Sequence, residues 1–212
     1  MGSRSRRNYC TMIALNRRRV MGGNVPYDSK IEYLESTGTQ YIDTGIVSSI
    51  NTGVAGDVMM TQKGIVNDLI LGELRGIYGN RDGFCVDLRG YFFMSVINQV
   101  ASQNENERIT FSMNYLNDSI GSFNNLSINL NKAENATKYN IYLYGYNYNG
   151  SVSFQYAAKK IRLYSVKFTE GQTIVRDFIP VRVGNVGYMY DRVSKQLFGN
   201  MGTGNFILGG DV

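Results

Sequence analysis

The sequence contains no histidine. Without an imidazole, Ser-His-Asp and Cys-His catalysis are excluded, and so are histidine-ligated zinc and iron sites. Tryptophan is also missing, and there are two prolines and two cysteines. Cys10 and Cys85 are too few for a disulfide framework, and neither has the companion ligands a metal site needs, so both read as free thiols. Asn67-Asp68 and Asn80-Arg81-Asp82 are weak matches to a calcium loop, which gathers more oxygen ligands than these. No metal or cofactor is expected. No run of 18 apolar residues occurs, so no membrane-spanning helix is expected. Residues 11–15 follow a basic start but are too short for the core of a signal peptide. Charged residues make up 18% of the chain and apolar residues 43%, a balance that fits neither wholesale disorder nor an acidic tail.

Tyrosine (16), phenylalanine (10), glycine (24) and asparagine (22) are abundant. That mixture favours strands joined by tight turns. Phe84, Val86 and Leu88 alternate with Cys85 and Asp87; Ile109, Phe111, Met113 and Tyr115 alternate with Thr110, Ser112 and Asn114; Leu126, Ile128 and Leu130 alternate with Ser127 and Asn129. A period of two turns one face to a core and the other to water. Turn signals at Asn80-Arg81-Asp82-Gly83, Asn117-Asp118, Asn124-Asn125 and Asn149-Gly150 separate such runs. Further strands are expected near 30–35, 40–44, 54–60, 69–78, 91–97, 139–148, 152–157, 160–168, 172–181 and 186–191. Many short strands between polar turns predict an all-β antiparallel sandwich or barrel. Four Asn-x-Ser/Thr triplets, at Asn117, Asn125, Asn135 and Asn149, are what chance gives in so asparagine-rich a chain.

Charge is placed unevenly. The net is +5, yet residues 1–20 hold six arginines and no acid. The rest of the chain has sixteen basic against seventeen acidic residues, a net of −1. Residues 1–27 therefore read as a basic arm and 28–212 as a nearly neutral body. The arm places an apolar insert, with Met12, Ile13 and Leu15, between Arg4, Arg6, Arg7 and Arg17, Arg18, Arg19. A tail that meets nucleic acid rarely carries such an insert. Guanidinium groups flanking apolar side chains suit docking on a protein surface with acidic rims.

Two segments carry a family resemblance. Ile31-Glu32-Tyr33-Leu34-Glu35-Ser36-Thr37-Gly38-Thr39-Gln40-Tyr41-Ile42-Asp43-Thr44-Gly45 resembles the opening of concanavalin A-like (laminin-G-like) domains in structural proteins of tailed phages, particularly phages of gut bacteria. The C-terminal elements Arg176-Asp177-Phe178-Ile179-Pro180, Gly187-Tyr188-Met189-Tyr190-Asp191-Arg192, Leu197-Phe198 and Gly202-Thr203-Gly204-Asn205-Phe206 match the same group, and Lys160-Ile161-Arg162-Leu163-Tyr164 fits its penultimate strands. The resemblance frames residues 30–210 and leaves about 50–150 without a matching motif. It implies an antiparallel β-sandwich of the concanavalin A-like jelly-roll type, to which the charge pattern adds an extended basic N-terminal arm. It also implies a virion protein made in the host bacterial cytoplasm: a capsid-attached head-fibre or decoration protein or, alternatively, a tail-associated receptor-binding module. The expected partners are other virion proteins through the arm, further copies of the chain in a homo-oligomer, and a host surface glycan. Structurally, Ser36-Thr37-Gly38-Thr39 reads as a tight hairpin, with Gly38 at positive φ, and Gly202-Thr203-Gly204 as a turn that returns Phe206 to the core.

Relatives in this fold include glucanases, which place Glu-x-Asp-x-x-Glu on one strand so that two carboxyls converge about 5–5.5 Å apart. No such run is present. The nearest spacings, Glu105/Glu107 and Glu32/Glu35, read as a solvated loop and as side chains on opposite faces, so a non-enzymatic protein is expected and glycan cleavage ranks third. The segment 140–150 is more suggestive: extended, it would put Tyr142, Tyr144, Tyr146 and Tyr148 on one face, with Asn147 and Asn149 beside them. Flat rings with polar tips suit stacking on sugars, with asparagines bonding hydroxyls. The same row equally suits packing between sheets or at a subunit contact.

Overall fold

The structure is a computed structural model that describes residues 25–65, 67–75, 82–88, 91–94, 96–99, 102–114, 120–124, 126–130 and 138–212. The arm residues Arg4, Arg6, Arg7, Met12, Ile13, Leu15, Arg17, Arg18 and Arg19 lie outside them, as does Cys10. Among the described residues there is no helix, and the strands follow in chain order. The first eight are β1 (Ser29–Lys30), β2 (Leu34–Ser36), β3 (Ile42–Val47), β4 (Thr52–Gln62), β5 (Leu69–Arg75), β6 (Asp82–Asp87), β7 (Tyr91–Met94) and β8 (Val96–Gln99). Then come β9 (Arg108–Asn114), β10 (Ile120–Phe123), β11 (Leu126–Asn129), β12 (Asn140–Leu143), β13 (Tyr146–Tyr148) and β14 (Ser151–Ser153). The last are β15 (Lys160–Glu170), β16 (Thr173–Val183), β17 (Val186–Asp191), β18 (Gln196–Phe198) and β19 (Ile207–Leu208).

These strands form two sheets packed face to face, a β-sandwich. The larger sheet runs β11-β10-β9-β4-β15-β16-β17-β18, with β1, β2 and β19 attached. The smaller runs β14-β13-β5-β6-β7-β8, and β12 joins β3 to β5. Neighbours are antiparallel except β13 beside β5. The alternation legible in the sequence selects the inner faces. Val54, Val58 and Met60 of β4, Ile109, Phe111 and Met113 of β9 and Ile161, Leu163, Val166 and Phe168 of β15 meet Ile42, Ile70, Phe84, Val86, Ile141 and Leu143 of the smaller sheet in one core. Each such side chain taken from water contributes roughly 1.5–3 kcal/mol. Where β15 faces β4 the register slips between Leu163 and Ser165, which leaves Tyr164 as an extra residue on the outer face and lets Leu163 and Val166 both point inward.

Some local expectations need correction. Ser36-Thr37-Gly38-Thr39 does not close a hairpin: β2 pairs with β15 and β19 in the larger sheet, while β3 pairs with β12 in the smaller, so the segment crosses between sheets. Gly38 does take positive φ (100°). A side chain there would meet the Lys159 carbonyl, with Cβ at 3.1 Å. Leu126 is 53% exposed, because β11 is an outer strand whose residues turn largely to solvent. The expected strand at 139–148 is two strands, β12 and β13, with a break at Tyr144-Gly145, and that at 91–97 is the pair β7 and β8.

The two segments that carry the family resemblance interlock. Gln40, buried between them, accepts from the Thr37 backbone N–H at 2.6 Å and donates to the Thr203 carbonyl at 2.9 Å. Thr203 N–H donates to the Thr39 carbonyl, Met201 N–H to the Tyr41 carbonyl, and the Tyr41 N–H to Asn200 Oδ1. Gly202 lies so close to Thr39 that a Cβ would stand 2.0 Å from its carbonyl oxygen. Phe206 is thereby returned to the core, as expected, though by docking against the crossover and not by a free turn. Replacing Gln40 by alanine is expected to destabilise the fold by about 1–3 kcal/mol, the cost of stranding buried polar groups. Amide exchange at residues 199–206 should rise more than in β4 or β15, and a uniform rise across the chain would show that the interlock does not act locally.

Candidate functional site

The tyrosine row does not share one face. On β12, Ile141 and Leu143 enter the core, and Asn140 and Tyr142 turn outward. Tyr144 then adopts φ +66°, a conformation rare for a bulky residue, which breaks the alternation and turns this ring into the main core. Its ring is buried beside Phe206 (centroids 4.8 Å apart), and its hydroxyl donates to the Leu34 carbonyl at 2.8 Å. Tyr146 is also buried, in a second cluster with Leu69, Leu74 and Cys85, and stacks on Tyr156 at 5.9 Å. Burial raises the pKa of both phenols. Tyr148 packs half-buried against that cluster. Enclosure removes Tyr144 and Tyr146 from contact with any outside ligand. Asn147 is spent on structure, its amide donating to the Asn140 carbonyl and accepting from Gly150 N–H, while Asn149 is an exposed turn residue with φ +51°.

Tyr142, half-buried like Tyr148, lies outside both clusters. Its ring lies 4.8 Å from that of Tyr41, tilted by 37°, and Tyr41 in turn meets Phe154 edge-on at 6.3 Å. All three are half-buried, so their edges are fixed by packing and part of each ring faces solvent. The arrangement has a local cause. Around the inward Ile42, Thr44 and Ile46 of β3, Asp43 turns outward, and Tyr41 stands just ahead of the strand. Asp43 lies directly across from Tyr142 in the β3–β12 register. Phe154 lies over Gly145, where a Cβ would stand 3.0 Å from its ring, so glycine lets the ring settle there.

Polar groups border the rings. Asp43 accepts from Gly45 N–H at 2.8 Å and from the Asn140 side-chain amide at 3.1 Å. Two bonds leave room on a carboxylate that offers about four acceptor positions. Partial burial raises the pKa of the Tyr142 phenol, and the nearby Asp43 carboxylate and Tyr41 raise it further. The phenol is protonated at neutral pH and can donate a hydrogen bond. The patch thus offers ring faces, a hydroxyl donor, a carboxylate acceptor and an amide within one small outward surface.

The other clusters are internally satisfied. On the outer face of the larger sheet Arg108 lies over the Tyr164 ring at 3.7 Å and Arg162 over Tyr33 at 4.3 Å, but Asp57 and Glu35 hold the two guanidinium groups. Glu105 accepts from Lys63 N–H and Glu107 from the Asn104 amide in an exposed loop. Glu32 is exposed, whereas Glu35 is buried against Arg162. No group of three or more metal-ligating side chains occurs among the described residues. Neither Tyr41 nor Phe154 stood out in the sequence. The outward alternation of Tyr41 and Asp43 was a readable signal; the return of Phe154 onto Gly145 had none. No family model, curated protein or solved structure matches the chain.

Proposed function

We propose that the chain is a non-enzymatic virion module: a laminin-G-like sandwich held on a phage particle by its basic N-terminal arm and displayed outward. The supporting observation is how the body closes. Ile31 bridges Asp211, Glu32 N–H donates to the Gly210 carbonyl and Val212 N–H to the Lys30 carbonyl, so the start and end of the sandwich are zipped together. Tyr27 already packs edge-on against Tyr190 at 5.0 Å, and Asp28 N–H bonds the Arg182 carbonyl. The six arginines all precede this closure in the sequence, and the part that follows carries a net charge of −1. A basic, partly apolar segment ahead of a self-closed body suits attachment; a nearly neutral body with a fixed aromatic patch suits display. Head-fibre or decoration protein is the preferred form. The patch of Tyr41, Tyr142 and Phe154 favours a second reading, a tail-borne receptor-binding module that touches host glycan.

Truncation tests the anchor. Because Tyr27 and Asp28 belong to the closure, the cut is best placed before Val25. The 25–212 fragment is expected to keep its β-rich circular dichroism and to be missing from assembled particles. Changing Met12, Ile13 and Leu15 to serine in the full chain should weaken incorporation at any salt, since each aliphatic group buried in a protein groove contributes roughly 1.5–3 kcal/mol. Normal incorporation of the truncated form would end the anchor reading. Normal incorporation of the triple variant, with steep salt dependence, would favour nucleic acid as the arm's partner. The position of the chain in a map of intact particles separates head from tail.

A further inference from the structure

Asp43 gives the aromatic patch a preference in charge. We propose that the surface formed by Tyr41, Tyr142, Phe154, Asp43 and Asn140 takes a sugar without an acidic group, neutral or amine-bearing, and turns away uronic and other carboxylate-bearing sugars. This rests on the glycan-contact reading above. A pyranose has a C–H face that stacks on an aromatic ring and a rim of hydroxyls that bond carboxylates, amides and phenols. Here the stacking elements and the rim groups lie side by side, because Tyr142 and Asp43 are direct cross-strand partners and the Tyr41 ring packs on that of Tyr142. Packing against Tyr41 restrains the Tyr142 ring. The Gly45 N–H and Asn140 amide do the same for the Asp43 carboxylate, so little side-chain freedom is lost on binding.

The carboxylate is what discriminates. Among the described residues it accepts from a backbone N–H and a neutral amide, so no cation bonds it directly. The Arg176 guanidinium beside Gly45 is turned to the Thr44 carbonyl and to Asp191. Among the described residues no ion pair is made by Asp43, unlike Asp57, Glu35, Asp177 and Asp211, each of which faces an arginine. A sugar hydroxyl or ammonium approaching the ring edge of Tyr142 can donate to this oxygen. A sugar carboxylate there meets a like charge. Two cations would act in the opposite direction: Lys138, exposed two residues before Asn140, and Arg176, whose guanidinium lies 3.6 Å from where a Cβ on Gly45 would stand.

The test uses the full chain and three tetrasaccharide probes: a neutral glucan, a glucosamine oligomer and a uronic acid oligomer. Binding is followed by calorimetry and by the tyrosine ring signals in NMR. The neutral and amine probes are expected to bind, and Tyr142→Ala to weaken both by about tenfold or more, the equivalent of roughly 1.4 kcal/mol of lost stacking. The uronic probe should bind weakly to the wild type and improve about three- to tenfold in Asp43→Asn, which keeps an acceptor for Gly45 N–H but removes the charge. Added salt should improve uronic binding to the wild type and leave the variant unaffected. If no probe shifts the Tyr41 or Tyr142 signals, the glycan-contact reading itself fails. A concentration-dependent oligomer lost in Tyr142→Ala would likewise assign the patch to a subunit contact. If sugars bind but the uronic probe binds as well as the neutral one, or is lost in Lys138→Gln, the charge preference is overturned while glycan contact stands.

Discussion

Tyr144→Ala is expected to lower the stability of the sandwich by about 3–5 kcal/mol, the cost of emptying a large aromatic site in a packed core. Three features concentrate at this residue. Its ring is wholly buried beside Phe206, the residue that the C-terminal turn returns to the core. Its hydroxyl reaches the Leu34 carbonyl on β2, in the other sheet. Its backbone, at φ +66°, makes the break that separates β12 from β13. Emptying the site therefore loosens the contact between sheets and the seat of the C-terminal segment together. Tyr144→Phe keeps the ring and removes the hydrogen bond, and should cost about 0.5–1.5 kcal/mol. The pair of variants, measured by urea unfolding, divides packing from hydrogen bonding. Equal losses in both would mean the hydroxyl alone matters.

The same residue predicts an alkaline limit. Burial raises the Tyr144 pKa well above 10.0, and the Glu35 carboxylate adds to it, whereas in the unfolded chain the phenol titrates near the ordinary value. Above that pH the unfolded state gives up a proton that the folded state keeps. The stabilisation is therefore complete below about pH 10 and declines as pH rises beyond it. Tyr146 and Tyr164, also raised by burial, share in the wild-type slope. The slope difference between wild type and Tyr144→Phe isolates the contribution of Tyr144.

Period-two alternation was enough to read the fold where one face is core and the other water, as on β9, where Ile109, Phe111 and Met113 are buried and Thr110 is exposed. It misled where an element departs from a plain strand. Leu126 looks apolar and alternating, but β11 is an outer strand with little of its surface covered. Tyr142, Tyr144, Tyr146 and Tyr148 alternate perfectly in sequence, yet the left-handed Tyr144 turns into the main core while Tyr146 and Tyr148 pack on the separate cluster around Cys85. Nothing local announces that residue, since the gain comes from Phe206 and Leu34, 62 and 110 positions away in the chain. The patch was half legible for the same reason. Tyr41 and Asp43 follow the local period, whereas Phe154 joins them only through the tertiary path that lays it over Gly145.

Asp191→Ala is expected to destabilise the protein by about 2–4 kcal/mol, because three backbone N–H groups lose their charged acceptor. Asp191 is fully buried at the end of β17. One carboxylate oxygen accepts from Asp177 N–H at 2.8 Å and Val193 N–H at 3.1 Å; the other accepts from Ser194 N–H at 3.0 Å and faces Arg176 Nε at 3.7 Å. Arg176 also donates to the Thr44 carbonyl on β3, while Asp177 pairs with Arg192. The Arg176-Asp177 and Asp191-Arg192 pairs are thus cross-linked, tying β16, β17 and the following turn to the smaller sheet. This gives the two C-terminal motifs a structural purpose. Burial by itself pushes the Asp191 carboxyl up, but the hydrogen bonds it receives, including those from Asp177, Val193 and Ser194, outweigh burial and hold it below the usual value. A folded-state pKa below the unfolded one means the stabilisation is complete above the ordinary carboxylate range, near pH 4, and is lost as pH falls through it. Wild-type protein should therefore lose stability between about pH 4 and lower values, and the Asp191→Ala variant should show a shallower decline over the same range. Urea midpoints at pH 7 and pH 3 decide the matter. A variant with the wild-type midpoint at pH 7, or with an unchanged acid slope, would show that the carboxylate is not the group that holds the two sheets together at this end.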